Sequence, residues 1–184
     1  MRNAAILVFA LFCFSSLSNA QCRGYRNYFS ASLNGNILNK SLGMSEASNA
    51  SGFELSYGKA VGWGYSHGLK LSSINYQFTN SGLNTVSDVI VGYELGQKII
   101  ENGSLNLKLF ADAGVGFRKA SVLGVDFVNE RSTFFDSNLG AELGFKPICF
   151  IELFGRTSVG YQFSKAGHGT NFRPLSSVGL RYFL

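Results

Sequence analysis

The sequence predicts an all-β chain, eight strands in an antiparallel up-and-down barrel. Three observations carry this. Apolar residues recur with period two along ribbon after ribbon, the pattern of a strand with two unlike faces. The 184 residues include 22 Gly, 17 Phe and 8 Tyr but 2 Pro, a composition that suits strands and turns rather than helices. The connections between ribbons alternate long and short, as they must when every second turn lies at the same rim.

Residues 1–20 read as a cleaved signal peptide. Arg2 supplies the positive start, residues 4–14 the apolar stretch, and Ser18-Asn19-Ala20 a small-residue cleavage site. The apolar stretch is shorter than the roughly 20 residues of a membrane span. Gln21 stands before Cys22 where a lipobox needs a small residue. The expected mature chain, 21–184, has 184 − 20 = 164 residues, enough for one domain. Losing Arg2 leaves 15 basic against 11 acidic residues, a net charge of 15 − 11 = +4. These cations are scattered, so no nucleic-acid partner is expected. After Ala20 no apolar stretch approaches 18 residues, so no membrane helix is expected.

The first strand is placed at 28–36. The second, 52–60, sets Phe53, Leu55 and Tyr57 against Glu54, Ser56 and Gly58. The third, 65–78, changes apolar phase between Leu71 and Ile74, which points to a bulge or to a different register there. The fourth, "SDVIVGYELGQK", opposes Val89, Val91, Tyr93 and Leu95 to Asp88, Gly92, Glu94, Gly96 and Lys98. The fifth, "SLNLKLFADAGVGFR", is the cleanest. Leu105 to Phe117 alternate as an uncharged face, and Lys108, Asp112 and Arg118 share the other with Phe110 and two glycines. The sixth, 132–146, sets Phe135, Leu139, Ala141, Leu143 and Phe145 against Asp136, Asn138, Glu142 and Lys146. The seventh, 149–163, sets Leu153, Val159, Tyr161 and Phe163 against Glu152, Arg156 and Gln162. The last sets Val178, Leu180, Tyr182 and Leu184 against Ser177, Gly179, Arg181 and Phe183. Between them, residues 37–51 and 119–131 are long polar loops. "VGWG", "ENG" and "KP" are tight turns, and the Gly of "ENG" suits a positive φ.

Alternation does not say which face points inward. A soluble lipocalin-like barrel would line a cavity with the apolar face, and a membrane barrel would show it to lipid. Three features favour lipid. Several ribbons exceed the roughly 9–11 residues that a tilted membrane strand needs. The polar face interleaves glycines with opposite charges, which fits the narrow interior of eight strands. Aromatics collect at two levels, with Trp63, Tyr65, Phe145 and Tyr182 near the short turns. Tyr76, Phe78, Phe117, Phe135, Tyr161 and Phe163 lie near the long loops. Bilayer interfaces select such girdles. The expected fold is therefore an eight-stranded transmembrane β-barrel. Unpaired ions inside it would be costly, so Glu94, Asp112, Glu142 and Glu152 are expected to pair with Lys108, Arg156 and Arg181.

With both termini and the short turns at one rim, Cys22 and Cys149 come to the same end. They are the candidate disulfide pair, and two separate thiols is the alternative. The closing "SSVGLRYFL" resembles the last strand of small bacterial outer-membrane barrels of the OmpA/OmpX-like group, although the final residue is Leu184 and not an aromatic. That resemblance implies the outer membrane as location and its lipid as partner.

Candidate chemistry is sparse. His67 reads as a rim or packed histidine. No Cys/His set has metal-ligand spacing, and the Gly114–Gly116 pair opens no helix and so cradles no phosphate. No cofactor is implied. His168-Gly169-Thr170-Asn171 resembles the His-x-Ser-Asn pattern of outer-membrane lipid A deacylases, with Thr170 in place of the serine nucleophile. No acidic partner for His168 is evident, so no catalytic residue is assigned. A further resemblance runs through "AQCRG", "FADAGVGF", "FFDSNLGAELGF", "FIELF" and "FRPLSSVGLRYFL". These are similar to segments of the TraO family of Bacteroidota conjugative elements, small exported proteins of the transfer apparatus. It implies a structural role beside cell-envelope or conjugation-apparatus proteins. The functional expectation is a non-enzymatic outer-membrane barrel with a plugged interior and partner-binding loops. A lipid A-modifying hydrolase and a periplasmic ligand-binding barrel are the alternatives.

Overall fold

A computed structural model describes residues 26–35, 47–61, 64–78, 83–122, 130–164 and 171–184. Eight strands form a closed barrel in sequence order: β1 (Arg26–Gly35), β2 (Ala47–Ala60), β3 (Tyr65–Phe78), β4 (Leu83–Asn102), β5 (Leu105–Val122), β6 (Glu130–Ile148), β7 (Ile151–Ser164) and β8 (Asn171–Phe183). Every neighbouring pair is antiparallel, and β1 closes on β8. The eight-stranded up-and-down barrel predicted above is the fold observed.

The register fixes the shape. Following paired residues once round leads from Lys108 through Glu142, Arg156, Ser177, Asn34, Gly52, Ile74 and Asp88 to Arg118. The chain of partners returns to β5 displaced by 118 − 108 = 10 residues. Such a stagger tilts the strands by roughly 35–45° from the barrel axis. Eight strands leave an interior only wide enough for side chains.

The opening alternation of β5 holds residue by residue. Leu105, Leu109, Val115 and Phe117 are exposed, whereas Asn106, Lys108, Phe110 and Asp112 are buried. The uncharged face therefore points outward and the charged face inward, the reverse of a barrel that stores an apolar ligand. No helix among the described residues is long and apolar enough to cross a membrane.

Several boundaries move. β2 begins at Ala47, inside the stretch expected to be loop, and β5 and β6 extend into 119–131. These extensions mix small or apolar residues such as Ala50 and Val122 with polar ones, so they continue no apolar period, yet their backbones still pair. The sixth turn is Cys149–Phe150 and not Lys146-Pro147. Pro147 lies within β6 where the register shifts between Phe145 and Ile148, a place where its missing N–H costs no ladder bond. Gly103 of "ENG" has φ +57°, as its turn requires.

The bulge expected in β3 is absent. β3 pairs with β4 without interruption from Tyr65 to Gln77. The phase change has another cause: Ile74 and Tyr76 point inward and are buried with Ala50, Val86, Ile90 and Phe134. An apolar cluster thus occupies the interior near the long-loop rim. Tyr76 accordingly leaves the outer girdle, where Phe117, Phe135, Tyr161 and Phe163 remain exposed. Tyr65 and Tyr182 are exposed at the opposite rim. The side chains of Trp63 and Phe78 lie outside the described residues.

Gly116 faces this cluster from β5. A Cβ there would overlap the ring of Phe134, which is buried at 4% exposure and has little room to swing away. Gly116→Ala is expected to destabilise the barrel by about 1–3 kcal/mol, the usual range for overpacking. Urea unfolding in detergent micelles measures this, and an unchanged midpoint would show that Phe134 yields freely.

Candidate functional site

The most elaborate constellation lies inside the barrel. Odd-numbered residues of β3, β4, β5, β6 and β7 face outward, so their even-numbered neighbours converge on the axis. This brings carboxylates and cations from distant parts of the chain together. All seven charged residues singled out from sequence, Glu94, Lys108, Asp112, Glu142, Glu152, Arg156 and Arg181, lie buried in this interior.

Glu142 is the hub. Its carboxylate stands 2.6 Å from Arg156 Nη2, 2.8 Å from Arg181 Nη1 and 3.4 Å from Lys108 Nζ. Arg156 also reaches Glu94 at 2.8 Å and Glu54 at 2.7 Å. Lys108 donates to Glu94 Oε1 at 3.1 Å. Arg181 lies 3.2 Å from Glu152, which accepts a further bond from Asn106 Nδ2 at 3.2 Å. Asp112 joins only indirectly. Its partner is Lys70 at 2.5 Å, and Lys70 stands 3.9 Å from Glu54. Each ion is thus met by opposite charge in a medium where a lone one would cost several kcal/mol.

Aromatic rings complete the packing. The Arg156 guanidinium lies 4.3 Å above the centre of the Phe110 ring, and Arg181 lies 4.8 Å above Phe154. These platforms hold the planar cations where bidentate contacts with carboxylates can form. Glycines give the long side chains their space. A Cβ on Gly144 would collide with Glu152 and Asn106.

Three elements lie outside the seven residues expected to form the network. Lys70 and Glu54 link Asp112 to the rest. Arg118 binds Asp88 through two 2.8 Å bonds near the long-loop rim and donates to Gln162 as well. Asn138 donates to both Asp112 and Asp136 at 2.7 Å. Period two places each of them on the polar face, since all are even-numbered on strands whose inward face is even. What it could not give is which ones meet, because the partners are far apart in sequence.

Two spaces border the network. A cavity of about 20 Å³ lies among Glu54, Lys70, Asp112, Asn138 and Arg156, room for one water. At the short-turn end a vestibule of about 720 Å³ is lined by Arg26, Tyr28, Lys98, Lys146, Cys149 and Arg181, among others. Cys149 is disulfide-bonded. Cys22, its candidate partner, lies outside the described residues, as do His168 and Thr170. His67 faces outward on β3, with Nδ1 2.6 Å from the Tyr93 hydroxyl. Among the described residues no cluster of three or more His, Cys, Asp or Glu could hold a metal ion.

No protein-family model matches the sequence, and no curated protein matches it either. Solved structures do. The chain is similar to Neisserial surface protein A, with a TM-score of 0.56 and 14% identity over 87% of this chain and 97% of that one. It is similar to a major outer membrane protein from Thermus thermophilus, with a TM-score of 0.52 and 10% identity over 86% and 99% of the two chains. The N-terminal β-barrel domain of Pseudomonas aeruginosa OprF gives 0.50 and 13% over 89% and 100%. At such identities the likeness is one of fold. The chain has the fold of the small eight-stranded outer-membrane β-barrels.

Proposed function

We propose that this protein sits in a bacterial outer membrane as a barrel closed to solutes, and acts through its surfaces without catalysing a reaction. The observation that carries this reading is the division of faces: apolar residues outward, a connected ion network inward. Lipid is the solvent that such an outer wall fits. Ion pairs that satisfy one another leave no row of fixed charge to conduct along, and the apolar cluster adds a second obstruction near the long loops. Reconstituted in planar bilayers, the protein is expected to give no stepwise conductance in concentrated KCl. Discrete channel openings would overturn the closed interior.

Export by a cleaved signal peptide belongs to the same proposal. It is checked by fractionation and N-terminal sequencing, with Gln21 as the expected first residue. The stretches expected from sequence to be long loops, 37–51 and 119–131, are where partners would bind, since loops on a rigid scaffold vary freely. The resemblance to the TraO family supports an accessory place beside a conjugation apparatus. Deleting the gene is then expected to lower transfer frequency without altering lipid A. A changed lipid A composition in a His168→Ala strain would favour the hydrolase reading instead.

A further inference from the structure

The vestibule at the short-turn end, about 720 Å³, lies within the usual size range of small-molecule sites. Lys108 and Arg181 of the network reach its wall, and Glu94 and Glu142, which they pair with, do not. Two carboxylates do line it, and both are engaged. Glu101 pairs with Lys98 at 2.8 Å, and Glu152 pairs with Arg181 at 3.2 Å and accepts from Asn106. Two lining cations are left over. Arg26 donates from Nη1 to the carbonyl oxygen of Cys149 at 3.3 Å, a neutral partner that leaves its charge unbalanced. Lys146 Nζ lies 4.7 Å above the centre of the Phe183 ring. Neither forms an ion pair among the described residues. Both flank the β6–β7 turn, Arg26 directly and Lys146 through Phe183, whose N–H donates to Phe150 O at 2.8 Å. Residues 21–25, which precede Arg26, include Arg23 and no acid.

We propose that this vestibule binds a small organic anion, its phosphate or carboxylate group held by Arg26 and Lys146 and its apolar body resting on Val61, Ile100 and Phe183. The site stands whether or not lipid surrounds the outer wall. Guanidinium and ammonium groups both keep N–H donors for an oxyanion here, and charge-assisted bonds of this kind are the strong ones. The apolar part follows from the rest of the wall. Val61, Ile100 and Phe183 line the same space, and Ile100 is 56% exposed there with no larger element packed over it. A free inorganic anion would satisfy the two cations and leave most of the vestibule to water. A molecule with an apolar body answers both halves of the wall.

Isothermal titration calorimetry of the whole chain in dodecyl maltoside micelles, with empty micelles as the blank, provides the test. The probes are phenyl phosphate, inorganic phosphate and benzyl alcohol. Phenyl phosphate is expected to bind about tenfold more tightly than inorganic phosphate, the effect of burying a ring, and benzyl alcohol is expected to give no heat above the blank. Lys146→Gln and Arg26→Gln should each weaken phenyl phosphate about tenfold, the effect of losing one hydrogen bond to a charged group. Lys119→Gln, toward the other rim, should leave it unchanged. Heat-dependent gel mobility confirms that each variant is a closed barrel. Wild-type affinity should also fall as KCl rises from about 0.05 to 0.5 M, because salt screens the two cations, and this arm decides the matter where a variant does not fold. Benzyl alcohol binding as tightly as phenyl phosphate would overturn the anion site. So would an affinity for phenyl phosphate indifferent to salt or to both substitutions. Inorganic phosphate binding as tightly as phenyl phosphate would overturn the apolar body. Heats equal to the blank for all three probes would overturn the proposal outright.

Discussion

Glu142→Gln is expected to cost the folded barrel about 3–5 kcal/mol, the penalty for breaking a buried ion cluster by removing one partner. The substitution keeps the shape of the side chain and removes its charge. Arg156, Arg181 and Lys108, all within 3.4 Å of that carboxylate, would then face one another with too little negative charge between them. The mutual repulsion is strong because the site is shielded from water. Reversible urea unfolding in lipid vesicles measures the loss. Adding Arg181→Met to the variant should recover part of it, since the surplus cation leaves as well. A Glu142→Gln protein as stable as wild type would mean that water screens the cluster, and that the ions contribute little to closing the barrel.

The second large effect lies on the opposite face. Leu139 is 68% exposed near mid-height of β6, and in a soluble protein such a position tolerates most substitutions within about 0.5 kcal/mol. Facing hydrocarbon it does not. Leu139→Arg is expected to lower stability in vesicles by about 2–4 kcal/mol, the cost of a cation at the bilayer midplane. Phe135→Arg, nearer the long-loop interface, should cost less. The gradient between the two is the useful quantity, because only a membrane makes the penalty depend on depth. Equal, small losses at both sites would remove lipid as the surrounding medium.

How far the sequence discloses this molecule depends on what each residue's neighbours do. β5 was legible from Leu105 to Phe117, because every outward residue there is uncharged and its pairing with β6 runs without a register shift. β3 was not, because Ile74 and Tyr76 are apolar and yet point inward. The rule that apolar faces lipid fails wherever part of the interior is itself filled with apolar side chains. The strand extensions beyond the girdles were hidden for a related reason: with small and polar residues mixed, they leave only backbone pairing to define them. For the interior ions, the seven residues named from period and charge are all buried there. The hub role of Glu142 and the bridge through Lys70 depend on register around the whole barrel, which no local pattern contains.

Closure has one more consequence. To the hydrogen-bond ladder the chain is a ring cut once, between β8 and β1. Leu184 N–H donates to Asn27 O across that cut at 2.9 Å. The seam holds eight registered pairs, from Tyr28 opposite Phe183 to Gly35 opposite Ser176, and the β4–β5 ladder holds eighteen. The lock of the barrel is therefore its shortest ladder and also the only one that unites the two ends of the chain. Were that seam to part, the barrel would have two raw edges ready to pair with another chain.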